Sequence, residues 1–404
     1  MYISLNFVMP LESKENSKNA LVASILKQGC DKLRSEQEIE LQLAKNYNAS
    51  LDVSLDKIGN KYNIEFSIEV INKRYLDKDV LEDVIKILEE VVYNPLVPEG
   101  AFDEKYVEIE KQVLINKIEE EKSSKKVYAL RRLEEEMFKY DEYGKNVIGA
   151  KEDILRQDGK TLYKQYLKII NTAEVKVFVV GNTDGYNNIE DIIKKHLIKS
   201  RKNTEMKGSS DKAHQLVKSS INEITEYEEI NQSTLCIGLR INNYEEKDYF
   251  IASIYSAILG ETPSSKLFQN VREKENLAYF AKAQYLRHVG AIYAFCGVNL
   301  SNVSKAKKVI NRQLVDLENK NISDEEIEAA KKYIIYAFKA IEDNKEKIYK
   351  VTFGDSMFFK NKNISIDQKI EIISKITKED ISSFAKRVYV DTIYLLGGTE
   401  KNEN

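Results

Sequence analysis

The pattern of apolar and polar residues predicts two similar series of strands and helices along the chain. The first series opens with an alternating strand at residues 3–7, followed by a helix at 18–28 that stops at Gly29. Alternating runs at residues 51–55 and 62–70 then predict two strands of a hairpin. The chain therefore begins as strand, helix and strand pair.

Helices complete this first series. Residues 80–92 have an amphipathic pattern, and the charged stretch 102–140 predicts a long helix with a break near Ser123. The series closes with an apolar strand at residues 175–180, which ends at Gly181. The polar, Lys- and Ser-rich stretch that comes next lacks a sustained period and is typical of a linker.

The second series repeats the order of the first. Its predicted elements are a strand at 233–239, a helix at 248–259 ending at Gly260, strands within 277–300, helices over 303–388 and a last strand ending at Gly397. The tetrapeptide Lys-Glu-Asp-Ile also precedes the last strand of both series. We therefore predict an α+β fold of two homologous halves, each a mainly antiparallel sheet with helices packed on it. The expected ranges are 1–200, a linker at 201–225 and 226–404.

Composition and charge narrow the class of protein. With 42% apolar and 31% charged residues, the chain has the composition of a globular protein and not of a disordered one. Its 62 basic and 65 acidic side chains give a net charge of −3, so no strong field favours nucleic acid or an anionic membrane. We expect neither of these as a partner.

The cysteines and the apolar runs indicate the compartment. Cys30, Cys236 and Cys296 are odd in number and far apart, and the last two lie in apolar strand-like runs. No apolar run approaches 18 residues, and the alternating start at Met1 does not resemble a signal peptide. A cytoplasmic protein in a reducing compartment is the simplest interpretation.

The most specific motif is Ser264-Ser-Lys-Leu-Phe-Gln-Asn-Val-Arg-Glu-Lys-Glu-Asn-Leu-Ala-Tyr279. It resembles a signature of the insulinase/pitrilysin peptidases, in which small-small-Arg/Lys-Leu-Phe, Val-Arg-Glu-Lys and Leu-Ala-Tyr occur in this order in the C-terminal half. The resemblance extends over nearly the whole chain and implies two homologous α+β halves. It also implies a chamber closed by two such chains or by one fused chain.

The resemblance assigns roles to Arg272 and Tyr279. In such a chamber the zinc lies in an N-terminal half, and the Arg and Tyr reach in from a C-terminal half. A guanidinium and a phenol can both donate hydrogen bonds to a peptide carbonyl or to a developing oxyanion. The alternative is that Arg272 pairs with a nearby carboxylate on a helix surface and that Tyr279 packs within a strand.

The zinc-binding motif expected from the resemblance is missing. Active relatives carry His-x-x-Glu-His on the first helix, where two imidazoles four residues apart hold zinc and the Glu takes a proton from its water. With Gly29 aligned to the glycine after that motif, the three positions hold Ala20, Ala23 and Ser24. None of these side chains is a good zinc ligand or a base.

The third zinc ligand is also absent. The family pattern Val-x-x-Glu-Glu-Ile corresponds to residues 113–118, and Asn116 and Lys117 stand at its acidic positions. Independently of the alignment, His196, His214 and His288 are too far apart to form a helical pair. We expect no cofactor in this chain, no activity of the chain alone, and zinc in a partner.

These observations predict a non-catalytic, substrate-positioning subunit of a heterodimeric zinc peptidase. Its partner would be an active sister chain with His-x-x-Glu-His, and its substrate a peptide added as a strand to a sheet edge. The chain is most similar to inactive bacterial partner chains of this family, including those linked to peptide maturation. The isolated chain could instead form a homodimer through the surface meant for its partner.

Two other functions stay open. The first is a structural scaffold, like core subunits of respiratory complexes that share this fold without proteolysis. The second is an independent metallopeptidase with unrecognised ligands. Relatives also have one or two more strands before the position of Tyr2, so either the start is truncated or the first sheet is shorter.

Overall fold

The structure is a computed structural model that describes residues 1–199, 220–359 and 364–398. The strands of these residues are β1 (Tyr2–Pro10), β2 (Ser50–Ile58), β3 (Lys61–Glu69), β4 (Glu174–Val180), β5 (Asn222–Glu228), β6 (Ser233–Ile241), β7 (Ala278–Leu286), β8 (Ala291–Val298) and β9 (Val388–Gly398).

The α-helices of the same residues are α1 (Ser13–Ile25), α2 (Glu36–Lys45), α3 (Leu81–Tyr93), α4 (Glu104–Ser123), α5 (Lys125–Met137), α6 (Lys151–Leu155), α7 (Gly159–Thr172), α8 (Ile189–Leu197), α9 (Tyr249–Ser256), α10 (Val303–Glu318), α11 (Asp324–Ile341), α12 (Lys345–Phe358), α13 (Ile366–Lys375) and α14 (Lys378–Ala385). The α+β class, the β2–β3 hairpin and the helix break at Ser124 are as predicted.

The first sheet has the strand order β2-β3-β1-β4, and all its pairs are antiparallel. Successive residues of β1 point to opposite faces. Ile3, Leu5 and Phe7 give one face an apolar surface, and all three are buried. Helices α3 and α7 contact the strands of this sheet, and α1 packs against α7, so the helices of the unit bury the apolar face.

The opposite face of the first sheet is polar. Its central strands contribute Ser4, Asn6 and Asn63, all fully buried. Asn63 donates a hydrogen bond from Nδ2 to Asn6 Oδ1 at 3.0 Å, and the Tyr349 hydroxyl donates to the same oxygen at 2.6 Å. Since Tyr349 lies on α12, the start of that helix supplies partners for polar groups that burial would otherwise destabilise.

The second sheet has the order β5-β9-β6-β8-β7, antiparallel except for the parallel pair β5–β9. Helix α5 packs on its central strands. A Cβ on Gly238 of β6 would lie 2.6 Å from Met137 Sδ, so a larger residue here would require the flexible Met137 side chain to shift. Two residues further along β6, Arg240 Nε is 2.8 Å from Asp391 Oδ2. Arg240 Nη2 also donates a hydrogen bond to Met137 O at 2.6 Å.

The chain divides into two compact units, and neither is a continuous stretch. One comprises the described parts of Met1–Glu120, Lys145–Ala213 and Asn344–Gly354. The other comprises those of Glu121–Gly144, His214–Asp343 and Asp355–Asn404. The units therefore differ from contiguous halves because α5 packs on the second sheet and the start of α12 packs on the first.

The predicted domain boundaries stay a prediction. Most of the expected linker at 201–225 lies outside the described residues. Its described end belongs to β5, which pairs with β9 from Asn222 onward. Strand β5 was not expected, because its alternating polar residues carry only a weak apolar signal. Helix α2 was not expected either, since only Ile39 and Leu43 are buried on it.

Candidate functional site

The motif that carries Arg272 and Tyr279 forms an irregular helix and an edge strand of the second unit. Residues Ala257–Glu261 and Phe268–Lys274 are π-helical. Such segments are rare and occur often at functional sites. Within the first segment, a Cβ on Gly260 would lie 2.3 Å from the backbone N of Ala283 on β7. Glycine is therefore required where the chain turns against the strand.

Buried side chains fix the orientation of the second π-helical segment. Leu267 and Val271 are buried in the core of the unit. Lys266 Nζ donates to Asn321 O at 2.7 Å and lies 3.1 Å from Glu326 Oε1. With Leu267, Val271 and Lys266 directed inward, Arg272 is left on the outer side of the helix.

Arg272 is half-exposed and only loosely held. Its side chain is 44% exposed, and its guanidinium carbon lies 4.7 Å from the centre of the Phe268 ring. Its Nε is 3.5 Å from Glu273 Oε1. A surface pair at that distance contributes little to stability. The carboxylate neighbour expected for a structural role is thus present, yet most of the guanidinium fork remains available to a ligand.

Tyr279 lies on β7, at the edge of the second sheet. The register between β7 and β8 shifts between Ala278 and Phe280, so Tyr279 is the extra residue of a β-bulge. Bulges re-aim side chains and are frequent beside active sites. Tyr279 is 65% exposed, and its hydroxyl has no hydrogen-bond partner among the described residues. The alternative, a tyrosine packed within a strand, is not what the structure shows.

The first unit contains the positions that would hold zinc. Ala20 and Ala23 on α1 are buried in the core, and Ser24 is half-buried. Lys117 and Asn116 on α4 are exposed. Within the described parts of the chain, no group of three or more His, Cys, Asp or Glu side chains could hold a metal ion.

Glu110 on α4 is a residue of this region that the sequence interpretation did not single out. It is buried, and Gln28 Nε2 donates to its Oε1 at 2.7 Å. Burial raises the pKa of Glu110, whereas hydrogen bonds from Gln28 and Ser24 and the charge of Lys117 act in the opposite direction. Ser24 and Lys117 therefore both influence the pKa of the Glu110 carboxyl group. Glu110 lies two helical turns before Lys117 on α4, and that spacing is the sequence signal by which Glu110 could have been found.

The histidines have structural environments. His196 lies between two carboxylates, with Nδ1 2.5 Å from Glu89 and Nε2 3.0 Å from Glu82. His288 is half-buried, and desolvation together with the positive charge of Arg287 lowers its pKa to about 3. His214 lies outside the described residues. Neither described histidine lies on α1 or α4.

Comparisons with known proteins support the resemblance found in the sequence. Residues 158–334, which include Arg272 and Tyr279, match the family described as Peptidase M16 inactive domain. The resemblance to M16 peptidases, the insulinase/pitrilysin type, is confirmed. A curated relative from Bacillus subtilis (strain 168), "Probable inactive metalloprotease YmfF", is 29% identical over 98% of this chain and 93% of its own.

Solved structures agree with the M16 fold. A conserved protein from Enterococcus faecalis V583 superposes with a TM-score of 0.91 at 24% identity, covering 100% of this chain and 94% of its own. The peptidase M16 inactive domain from Pseudomonas fluorescens gives a TM-score of 0.76 at 14% identity, covering 100% of this chain and 94% of its own. At these identities the structures establish the fold alone. The family match and the Bacillus subtilis relative support a non-catalytic protein with the peptidase fold.

The length and polarity of the helices bear on whether one of them could cross a membrane. Among the described residues, every helix is too short or too polar to span a membrane.

Proposed function

We propose that this chain is the non-catalytic, substrate-positioning subunit of a two-chain M16 peptidase. The observation that carries the proposal is the contrast between its two units. The positions that would bind zinc hold Ala20, Ser24 and Lys117, whereas Arg272 and Tyr279 are present and presented to solvent. Such a chain can donate hydrogen bonds to a substrate but needs another chain for the chemistry.

The chemistry divides between the two chains. Zinc bound by a sister chain with His-x-x-Glu-His would activate the attacking water, and the Glu of that motif would take its proton. Arg272 would supply a fork of N–H donors and Tyr279 a hydroxyl donor toward the scissile carbonyl of a peptide. Both side chains act by hydrogen bonding alone, so neither requires a metal in this chain.

The mode of peptide binding follows from Tyr279 lying on an edge strand. The outer edge of β7 has no strand partner within the described part of the chain. A peptide in extended conformation can add to such an edge by backbone hydrogen bonds, which suits substrates of varied sequence. This arrangement would bring a peptide backbone directly beside Tyr279.

Peptide hydrolysis by this chain, by a His-x-x-Glu-His sister and by their mixture tests the proposal. We expect cleavage only by the mixture. Arg272→Ala or Tyr279→Phe should lower kcat by about 10²–10³, as for the loss of one oxyanion donor. Arg272→Lys should recover only part of the activity, because an ammonium lacks the planar fork. Arg156→Ala and Tyr140→Phe, at exposed positions elsewhere, are matched controls.

Two rival functions predict different results. A scaffold with the M16 fold would assemble with its partner, and the mixture would cleave equally well with or without Arg272 and Tyr279. An independent metallopeptidase would be purified with stoichiometric zinc and would cleave peptides alone. Metal analysis of the purified chain and size-exclusion chromatography of each mixture separate these cases, and the same chromatography detects a homodimer of the isolated chain.

A further inference from the structure

Glu261, which lies near the candidate site, is a carboxylate without a counter-ion among the described residues. It follows Gly260 at the end of the first π-helical segment. Its Oε1 accepts a hydrogen bond from the Ser256 hydroxyl at 2.5 Å. Its other oxygen has no hydrogen-bond partner among the described residues, and no described Lys, Arg or His forms an ion pair with it. A neutral hydroxyl is therefore its one protein partner in these residues.

The surroundings of Glu261 disfavour the ionised form of its carboxyl group. Burial raises the pKa of the carboxyl group, and the hydrogen bond from Ser256 offsets only part of that effect. A half-buried carboxylate without a cation destabilises the fold, because its lost hydration is not replaced. The stability of the fold therefore does not account for a glutamate at position 261. A bound cation would supply the partner that its carboxylate lacks.

Helix α11, which carries Tyr333, packs against the π-helical segment that ends at Glu261. Tyr333 on α11 is 42% exposed, and Tyr336, one turn further, is 78% exposed. Burial raises the pKa of the Tyr333 hydroxyl, and the nearby negative charge of Glu261 adds to the effect. A carboxylate next to an exposed aromatic face is an arrangement that binds ammonium and guanidinium groups.

The position of Glu261 relative to β7 links it to the candidate site. Gly260 contacts the backbone of Lys282 and Ala283, since a Cβ there would lie 2.7 Å from Lys282 C. Lys282 is three residues beyond Tyr279, which is about 10 Å along a strand. A peptide held at Tyr279 could place a side chain at Glu261 within a few residues.

From this arrangement we propose that Glu261 and Tyr333 form a subsite for a cationic group of the bound peptide. The cation is a lysine or arginine side chain, or the α-ammonium group of a peptide N-terminus. The proposal rests on the proposed function, because it assigns specificity to the same peptide-binding surface.

Binding of fluorescent peptides to the full isolated chain tests the subsite. The probes are one extended peptide with a single arginine, its citrulline counterpart and the N-acetylated form of each. We expect the arginine peptide to bind about ten- to hundredfold more tightly than the citrulline peptide, as for a charge-assisted hydrogen bond. Loss of affinity on acetylation alone would assign the cation to the N-terminus.

Glu261→Gln should abolish this preference while leaving the affinity for citrulline peptides unchanged. Tyr333→Leu should reduce it by a smaller factor. Glu342→Gln, an exposed carboxylate at the end of α11, should change nothing. Since a half-buried charge is removed, we expect Glu261→Gln to unfold at the same or a higher temperature, which shows that the variant is folded.

Two results would overturn the subsite. One is equal binding of the arginine and citrulline peptides by the unmodified chain. The other is a loss on Glu261→Gln that is the same for charged and neutral peptides. Failure of the proposed function differs from both, because it appears as a mixture that cleaves nothing, whereas the binding comparison needs no sister chain. In an active mixture, Arg272→Ala should slow cleavage of both peptides, and Glu261→Gln only that of the arginine peptide.

Discussion

Introducing the three zinc ligands of the family motifs should create a metal-binding site between α1 and α4. The perturbation is the triple variant Ala20→His, Ser24→His and Lys117→Glu. Residues 20 and 24 lie one helical turn apart on the same face of α1. Ser24 and Lys117 both influence the pKa of Glu110, so we expect the new side chains to lie near one another. Two histidines and a glutamate, with water in the fourth position, form a common catalytic zinc site.

The burial of these positions sets the expected magnitudes. Because Ala20 is fully buried, an imidazole there should overpack the core and destabilise the metal-free variant by about 1–3 kcal/mol. Zinc at a hundred times its Kd should then stabilise the variant by about 2.7 kcal/mol. For a unit of this size, that corresponds to a rise in Tm of about 5–11 °C.

The assay combines metal analysis after gel filtration with thermal unfolding in zinc and in a chelator. The matched control keeps Lys117 and carries only the two histidines, where the ammonium group should weaken zinc binding. We expect one zinc per triple variant and a Tm that depends on zinc. A folded triple variant that binds no more zinc than the control would refute the alignment of α1 and α4 with the family motifs.

Three further changes test the fold and the site. Arg240→Ala should lower the free energy of unfolding by about 3–5 kcal/mol in urea denaturation, because it leaves Asp391 as a buried carboxylate without this partner. Gly260→Ala should lower the Tm and the activity of the mixture, because its Cβ would meet the Ala283 backbone. His288 has a folded-state pKa lowered to about 3, so the unfolded chain binds the extra proton first and stability should fall as the pH drops below about 6.5. His288→Gln should flatten that dependence in unfolding measured from pH 7 to 4.

Strong periodicity made much of the fold predictable. Leu5 and Phe7 alternate with polar residues on β1, and Ser124 marks the break between α4 and α5. What could not be predicted is which sheet a helix covers. Helix α5 packs on the second sheet through contacts such as Met137 on Gly238, which join residues far apart in sequence. Local periodicity contains no information about such contacts.

The site was predictable to the level of residue types but not of geometry. The motif singled out Arg272 and Tyr279, whereas the π-helical turn and the β-bulge that present them depend on packing against Val271 and β8. The sequence did not single out Glu110 or Glu261 as site candidates, because one acidic residue does not stand out in a chain with 31% charged residues. Only its partial burial and the absence of an ion pair with any described residue distinguish Glu261 from the many solvated carboxylates.

The distribution of burial within the motif indicates which residues are kept for folding. Leu267, Val271 and Ala278 are buried, so the hydrophobic core alone accounts for them. Arg272 and Tyr279 are exposed and make contacts of little energetic value, so replacing them would leave the fold nearly unchanged. At two of the positions aligned with the zinc motif the opposite holds, since Ala20 and Ala23 are part of the core. Stability therefore accounts for Ala20 and Ala23, whereas Arg272 and Tyr279 require an explanation in terms of a ligand.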